Sequence, residues 1–472
     1  VLLEQLQREL AEHVSIRTQA AGDPSSDIDI TDVVHDSRQA RPGTLFCAVP
    51  GLTVDGHDFV DAAIANGAAA VMVEHSVDVD CPQLTVTSVR RSMAYAAAAV
   101  HGYPSRQIAV VGITGTNGKT TTTQLLASII RSTSKTCAVV GTLDGAHTTP
   151  ESPDLQRLLR SAVDDGIDVV AMEVSSHALD QYRADAVDFA VAAFSNLTPD
   201  HLDFHGDMQS YFDAKARLFD GRARVAVVNI DDPWGSRLAE QHPDAVQLSI
   251  KDHEILDETI AGTTFLWREQ ATFVPLPGQM NVANALMAAE LASVLGIDDD
   301  AVVAGLGAAD PVPGRMEIVR ATAPDQPAVV VDYSHTPDSI ERALATLRSV
   351  SADAKISIVF GCGGDRDRAK RPLMGRAAEA GADRVYVTND NPRSEEPRQI
   401  IDQARAGMNY PDRAIVEVDR KAAITRAIID AAPGDVVLIA GKGHEKTQTI
   451  GSNVLPFDDV QVALEILKAP LA

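Results

Sequence analysis

The chain has 472 residues, 45% of them hydrophobic, which supplies a packed core for each of the roughly three domains implied by a typical size of about 150 residues. With 41 Lys and Arg against 66 Asp and Glu the formal charge is −25, which excludes the general basic face that nucleic acids or anionic membranes select. Four scattered cysteines (Cys47, Cys81, Cys137, Cys362) offer neither a C-x-x-C metal knuckle nor a disulfide framework, and no apolar run approaches the roughly 18 residues of a membrane span, so a reduced, soluble, cytoplasmic protein is expected.

The first segment, VLLEQLQRELAEH, has the charged amphipathic pattern of a helix and lacks the basic start and unbroken apolar centre of a secretion signal. HDSRQARPGTLFCAVPG (35–51) then places a serine, an arginine and a Pro-Gly turn ahead of an apolar strand; in itself it is a loop entering a strand. Two Pro/Gly seams, HGYPSRQ (101–107) and DPVPGRME (310–317), divide the chain into expected domains 1–105, 106–313 and 314–472. Between and beyond them the β-branched runs IAVVGI, VVAMEV, FAVAAF and VAVVNI, then KISIVF, RVYVTN and DVVLIA, alternate with helical patterns. That alternation predicts an α/β fold with mainly parallel sheets, whose ligands sit in the loops beyond the carboxyl ends of the strands.

The strongest local signal is VVGITGTNGKTTTTQLLASII (110–130): a strand, a loop with Gly112, Gly115 and Gly118, then Lys119, Thr120 and a helix. Small residues let backbone N–H groups curl around phosphate oxygens, the helix N-terminus adds positive potential, Lys119 reaches the terminal phosphates and Thr120 suits magnesium. The G-x-x-x-x-G-K-[ST] pattern is not strictly met, because its first glycine falls on Ile113. VVAMEV ends near Glu173, which is placed either to face a metal beside a triphosphate or to cap a helix. SNLTPDHLDFHGDMQSYFDAKARLF (195–219) brings His201, Asp203, His205 and Lys215 into one short segment.

TGTNGKTTT, MEVSSHAL, TPDHLDFHG and YFDAKARLF, in that order and spacing, resemble the Mur ligase family of ATP-dependent amide-forming enzymes. The likeness covers essentially the whole chain, since VVHDSRQARPGTLFCAVPG resembles a uridine-binding first domain, MNVANALMA a central adenine-side motif, and DYSHTPDS and AGKGHE the C-terminal domain. It implies a smaller N-terminal α/β domain that binds UDP, a central P-loop ATPase-type domain and a Rossmann-like C-terminal domain that takes an amino acid. It further implies Lys119, Glu173, His201 and Lys215 as the catalytic set, with Mg2+ held by Thr120, Glu173, His201 and a Lys215 carbamylated by CO2. Carbamylation turns a cation into an anionic oxygen ligand, which suits magnesium; a free phosphate-binding ammonium is the alternative for Lys215. ATP would lie against Gly112, Thr114, Gly115, Thr116, Asn117, Gly118, Lys119, Thr120 and Thr121, with Asn281, Asn284, Arg315, Asp332 and His335 ordering the nucleotide. The same resemblance places His35 and Ser37 at the uridine with Leu52, Thr53 and Val54, and Arg38 near the diphosphate. His147, Thr148 and Thr149, then Ser175, Gln181 and Arg183, would hold the muramoyl-peptide, although some relatives have asparagine at the position of His147.

KISIVF runs into GCGGDRDRAKRP and RVYVTN into DNPRSEEP, so Arg366 and Arg393 should open at one sheet edge and converge on one carboxylate with charge-assisted hydrogen bonds; two solvated surface arginines are the alternative. DNPR resembles the signature that separates diaminopimelate-adding family members from lysine-adding ones. By that resemblance Arg366, Asp390, Asn391, Pro392, Arg393, Gly441 and Glu445 meet the incoming amino acid, and a buried guanidinium left unpaired by lysine costs about 3–5 kcal/mol. The implied partners are ATP, UDP-N-acetylmuramoyl-L-alanyl-D-glutamate and meso-2,6-diaminopimelate, joined by a monomer through an acyl phosphate in peptidoglycan precursor synthesis. Lysine-adding, D-alanyl-D-alanine-adding and folylpolyglutamate-forming ligases are the near alternatives, and a nucleotide-controlled binding protein the distant one.

Overall fold

The computed structural model describes residues 1–18, 28–51, 54–143, 145, 147–319 and 326–468. The first sheet runs in the order Ile16–Thr18, Gln83–Val86, Ala70–Val73, Thr44–Cys47, Asp32–Val34 and is parallel except at its first pair. Helices cover both faces, so TLFC and AVMV are buried at every residue rather than at alternate ones.

The central sheet is wholly parallel, in the order Val246–Leu248, Ala223–Asn229, Phe189–Phe194, Ala109–Thr114, Val169–Glu173, Cys137–Val140. Successive side chains take opposite faces: Val111 and Ile113 join the core formed with the helices Lys119–Arg131 and Gln279–Val294, while Val110 joins the core of the other face. From Ala109–Thr114 the chain builds outward first to one side and then to the other. The loop after this strand therefore sits where the strand order reverses, the position at which open parallel sheets bind ligands. An antiparallel meander, Ile255–Thr259, Gly262–Trp267 and Gln270–Val274, follows; the parallel runs gave no sign of it.

In the third sheet Ala328–Asp332, Val436–Ala440, Ile356–Phe360, Arg384–Val387 and Ile415–Val416 are parallel neighbours, with Glu317–Val319 antiparallel at one edge. The loops after Phe360, Val387 and Ala440 consequently leave from the same edge, and they contain Arg366, Asp390–Arg393 and Gly441–Glu445.

Buried charge joins the sheets. Asp32 accepts from Arg157 Nε at 3.0 Å while Arg157 Nη2 donates to the Val33 carbonyl at 2.9 Å, tying the first sheet to the helix Ser152–Asp164. At the second seam Gly314 has φ +65° and a Cβ there would lie 2.1 Å from the backbone nitrogen of His444, so the segment joining the second and third domains runs directly against AGKGHE. All four cysteines are free thiols, and among the described residues no helix is long and apolar enough to cross a membrane.

Candidate active site

The strand Ala109–Thr114 and the helix Lys119–Arg131 hold the phosphate loop between them. Asn117 N donates to Asn196 Oδ1 at 3.0 Å, Thr116 N to the Asn196 carbonyl at 2.9 Å, and Thr116 Oγ1 to the Thr198 carbonyl at 3.2 Å, so the loop is braced by the strand-end segment of Phe189–Phe194. Gly118 has φ +87°, and a Cβ there would come within 2.2 Å of Asn284 Oδ1. Glycine thus lets the helix Gln279–Val294 approach; Asn284 Nδ2 in turn donates to Asn281 Oδ1 at 3.2 Å. Gly112 needs correction as a phosphate ligand. It lies inside the strand, where a Cβ would stand 2.7 Å from the Phe189 ring, and its small size serves packing; Thr114 is the fully buried last residue of that strand.

Asn117, Lys119, Thr120, Thr121, Asn281 and Asn284 line one cleft together with Arg315, Asp332 and His335. Arg315 Nη2 donates to Thr120 Oγ1 at 3.1 Å and the guanidinium lies 4.5 Å from the Tyr333 ring centroid. Asp332 accepts from Met316 N at 2.7 Å and Ser334 N at 2.9 Å, ordering the cleft backbone. Burial lowers the His335 pKa, favouring a neutral ring, and its Nδ1 meets the Tyr333 carbonyl at 2.7 Å.

Glu173 is 1% exposed and its carboxylate accepts from Thr120 Oγ1 at 3.0 Å, Thr142 N at 2.9 Å and Thr142 Oγ1 at 3.2 Å, with no ion pair among the described residues. A buried carboxylate hydrogen-bonded by hydroxyls and an amide, beside the phosphate loop, fits a hard cation with oxygen ligands. Among the described residues no three His, Cys, Asp or Glu side chains gather as a metal cluster. His201, at φ +55°, stacks edge-on to His177 with ring centroids 4.8 Å apart; burial drives its pKa down to about 4 against the opposing charge of Asp200, with His177, Lys119 and Lys215 adding to the fall. Lys215 is 1% exposed, donates to the Gly115 carbonyl at 2.8 Å and lies 4.7 Å from the Tyr211 ring centroid. Burial and the nearby Lys119 push its pKa well below the ordinary lysine value, which favours the neutral amine. Lys119 folds back on its own loop, donating to the Gly115 and Thr116 carbonyls at 3.0 and 2.9 Å.

The residues expected to hold the muramoyl-peptide lie close together. Thr149 Oγ1 donates to the Glu173 carbonyl at 2.9 Å and accepts from Ser175 N at 3.0 Å, and Arg183 reaches the Thr149 carbonyl at 3.0 Å, Gln181 Oε1 at 2.7 Å and Glu151 at 2.9 Å. Thr148 Oγ1 is 3.1 Å from Thr142 Oγ1, while His147 is exposed. In the first domain His35 and Ser37 are half-buried, Ser37 opening a short helical turn, and Val54 is 53% exposed; Leu52 and Thr53 lie outside the described residues. Arg38 is committed elsewhere: its guanidinium makes a two-nitrogen pair with Asp36, so the diphosphate assignment lacks support.

At the third-sheet edge a Cβ on Gly363 would lie 3.2 Å from Arg393 Nη1 and 3.6 Å from Arg366 Cγ, which puts both side chains around one glycine. Arg393 Nη1 also donates to the Gly364 carbonyl at 2.6 Å; Arg366 is exposed. Asn391 Nδ2 donates to Glu445 Oε2 at 2.8 Å, and Asp390 Oδ2 would be 2.8 Å from a Cβ on Gly441. Pro392 is buried, its carbonyl closely packed over Gly364.

Residues 29–111 match the family "Mur ligase family, catalytic domain", 113–292 "Mur ligase middle domain" and 314–443 "Mur ligase, glutamate ligase domain". The chain belongs to the Mur ligase family. It is 44% identical over 464 residues to the UDP-N-acetylmuramoyl-L-alanyl-D-glutamate--2,6-diaminopimelate ligase of Gloeobacter violaceus, covering 93% of this chain and 94% of the relative. A solved UDP-N-acetylmuramoyl-L-alanyl-D-glutamate--2,6-diaminopimelate ligase superposes with a TM-score of 0.67 at 33% identity, over 99% of this chain and 98% of the other. The MurF ligase of Thermotoga maritima, in complex with ADP, shares the fold at a TM-score of 0.63 and 20% identity, over 94% of this chain and 99% of the other.

Several groups of this Mur ligase's site escaped the sequence reading. Lys442, fully buried, donates to Glu445 Oε2 at 2.9 Å and Asn391 Oδ1 at 3.2 Å. A lysine between two glycines directly after a buried strand was the available signal. Arg371 and Glu395 pair inside the third domain, and Asp200 lies 4.0 Å from His335 across the cleft; neither spacing is visible along the chain.

Proposed function

We propose that this Mur ligase uses ATP to join meso-2,6-diaminopimelate to UDP-N-acetylmuramoyl-L-alanyl-D-glutamate, in cytoplasmic peptidoglycan precursor synthesis and as a monomer. The observation that carries the choice of amino acid is the placement of Arg366 and Arg393 around Gly363, on the strand-end edge that also holds Glu445. We place the limits of its three domains at 1–105, 106–313 and 314–472.

In this reading the γ-carboxylate of the D-glutamyl residue, held near Thr149, Ser175 and Arg183, attacks the γ-phosphorus of ATP, and the bond to the bridging oxygen breaks to release ADP. Lys119 and the N-terminal end of the helix Lys119–Arg131 stabilise the charge on the transferred phosphoryl group. The diaminopimelate amine then adds to the acyl phosphate carbon, loses a proton, and expels inorganic phosphate to leave the amide. Mg2+, with Thr120, Glu173, His201 and carbamylated Lys215 as its holders, would supply charge neutralisation on the phosphates. The low pKa of Lys215 supports the carbamate, because only the neutral amine adds to CO2. Glu445 suits an ammonium of the incoming amino acid, and the two arginines suit its distal carboxylate.

Arg366 is exposed, so the fully buried value of 3–5 kcal/mol overstates the discrimination against lysine. Charge-assisted hydrogen bonds to a half-exposed pair support about 2–3 kcal/mol, roughly 30- to 160-fold. The test is ATP-dependent phosphate release with the muramoyl-dipeptide substrate and a panel of diaminopimelate, lysine, D-alanyl-D-alanine and glutamate. Diaminopimelate should be preferred by that factor; equal turnover with lysine would refute the assignment.

A further inference from the structure

The two arginines sit on separate loops, and neither loop is in a conformation that holds itself. Asp365 and Arg393 both have φ +51°, in the left-handed region that non-glycine residues avoid. What keeps them there is a clasp beneath the site. Arg371, at the start of the helix Lys370–Gly381, is fully buried and spends its terminal nitrogens on both loops: Nη2 donates to the Gly363 carbonyl at 3.0 Å and to Glu395 Oε1 at 2.8 Å, and Nη1 to Glu395 Oε2 at 3.0 Å and Gln403 Oε1 at 2.7 Å. Glu395 Oε1 also accepts from the backbone nitrogen of Asp365 at 2.6 Å, the residue immediately before Arg366. Asp365 returns the contact, accepting from Ser394 N at 3.1 Å and Ser394 Oγ at 2.7 Å, next to Arg393. Gly364 N donates to the Asn391 carbonyl at 2.8 Å, and Arg393 itself is fixed from the far side by Thr449 and Gly451.

Each loop is therefore gripped at the residue adjacent to its arginine: Asp365 N by the Glu395 carboxylate, which Arg371 holds, and Ser394 by the Asp365 carboxylate. We infer that the pair of buried Arg371 with Glu395 is a positioning element for selectivity: it sets the spacing of Arg366 and Arg393 and so the preference for an amino acid that ends in a second carboxylate. The inference rests on the assignment of diaminopimelate to those two arginines. Arg371 and Glu395 touch no substrate in it. A planar guanidinium with two parallel bonds to a carboxylate fixes both distance and angle, which a hydrophobic contact between the loops would leave free to slide. Glu395 is also held strongly acidic, to about 2, first by its hydrogen bonds from Arg371, so the pair stays ionised across the working range.

The test compares Glu395→Gln with the unaltered full-length enzyme, using KM and kcat for diaminopimelate and kcat/KM for lysine. The same substitution is then made on top of Arg366→Ala/Arg393→Ala. Expected is a rise in KM for diaminopimelate of about tenfold, below the roughly hundredfold that a 1 Å misplacement can cost. The kcat at saturation should stay within about threefold, the lysine value should be unchanged, and no further rise should appear once the two arginines are absent. Equal losses with both amino acids, the same factor in the double-alanine background, or no change in KM would each overturn the inference. If Glu395→Gln does not fold, Glu395→Asp, which keeps the charge but withdraws it from Asp365 N, is read by the same criteria. Should Arg366→Ala/Arg393→Ala alone leave the preference over lysine intact, the diaminopimelate assignment itself falls; a preference lost there but untouched by Glu395→Gln overturns only the clasp.

Discussion

Lys442→Met tests the amino-acid end of the site through a residue that no sequence motif singled out. Lys442 is fully buried, and its ammonium is satisfied by Glu445 Oε2 at 2.9 Å and Asn391 Oδ1 at 3.2 Å, while Asn391 Nδ2 closes the triangle on the same Glu445 oxygen at 2.8 Å. Burial pushes the Glu445 carboxyl up, but the charge and hydrogen bond of Lys442, with the bond from Asn391, outweigh it and hold the pKa below the ordinary glutamate value. Methionine fills the stem volume and removes the ammonium. A hydrogen bond to a charged group contributes about 1.5–3 kcal/mol, and because the Glu445 side chain is 33% exposed, water replaces part of what is lost. The net loss is about 1–2 kcal/mol, a fall in Tm of roughly 2–8 °C and a 5- to 30-fold rise in KM for diaminopimelate. The sign with pH follows from the depressed pKa. A carboxylate of that kind contributes stability that is present above its unfolded pKa and lost as pH falls through its folded one. Without Lys442 burial dominates, the Glu445 pKa rises, and the acid-side rise in KM moves to higher pH. Steady-state KM for diaminopimelate measured from about pH 5.5 to about pH 8.5 checks this, with pKa values ordinary for carboxylates as reference. A KM equal to that of the unaltered enzyme, with the same acid limb, would refute the reasoning.

Gly118→Ala places a methyl group 2.2 Å from Asn284 Oδ1 at a residue with φ +87°. Left-handed backbone costs about 1–2 kcal/mol before Asn284 moves, so KM for ATP should rise about tenfold or more with KM for diaminopimelate unchanged, as initial rates will show. Lys215→Ala should abolish phosphate release and regain part of it with added acetate, while the unaltered enzyme equilibrated with 13C-bicarbonate should show a carbamate carbon by NMR; no rescue and no such signal would leave Lys215 a simple amine. Asp459→Asn strips the partner from Arg420 where both side chains are fully buried and paired at 2.7 Å, so urea unfolding should register a loss of about 3–5 kcal/mol.

The parallel strands were legible because a strand covered on both faces reads as an unbroken apolar run: VVAME is buried at all five residues and VVLIA likewise. The phosphate loop was legible because its glycines, lysine and threonine are contiguous. The meander Ile255–Thr259 to Gln270–Val274 was not, since alternating burial such as that of Gly262–Trp267 leaves only a weak, interrupted apolar signal. The same limit applies in the site. Gly112 looked like a loop residue because glycine spacing says nothing of where a strand ends, and only the Phe189 ring reveals what that glycine is for. Arg38 looked like a diphosphate ligand because its pairing with Asp36, two residues away, is a rotamer choice rather than a pattern. Lys442 and the Arg371–Glu395 clasp depend on loops meeting across a sheet edge, where chain separations of 3 and 24 residues carry equal weight.

The nucleotide cleft and the third-domain loops around Glu445 share one short piece of chain. Arg315 donates to Thr120 on the phosphate loop, its neighbour Gly314 lies against His444 of AGKGHE, and Met316 N is held by Asp332, whose own carbonyl accepts from Gly441 N at 3.1 Å. Asn117 Nδ2 to Asp338 Oδ2, at 3.4 Å, adds a second bridge between the phosphate loop and the third domain. In the proposed reaction, a rotation of the third domain about this segment would move Arg315 relative to the phosphate loop and Glu445 together, which would couple nucleotide and amino acid through a rigid body rather than through a relay of side chains.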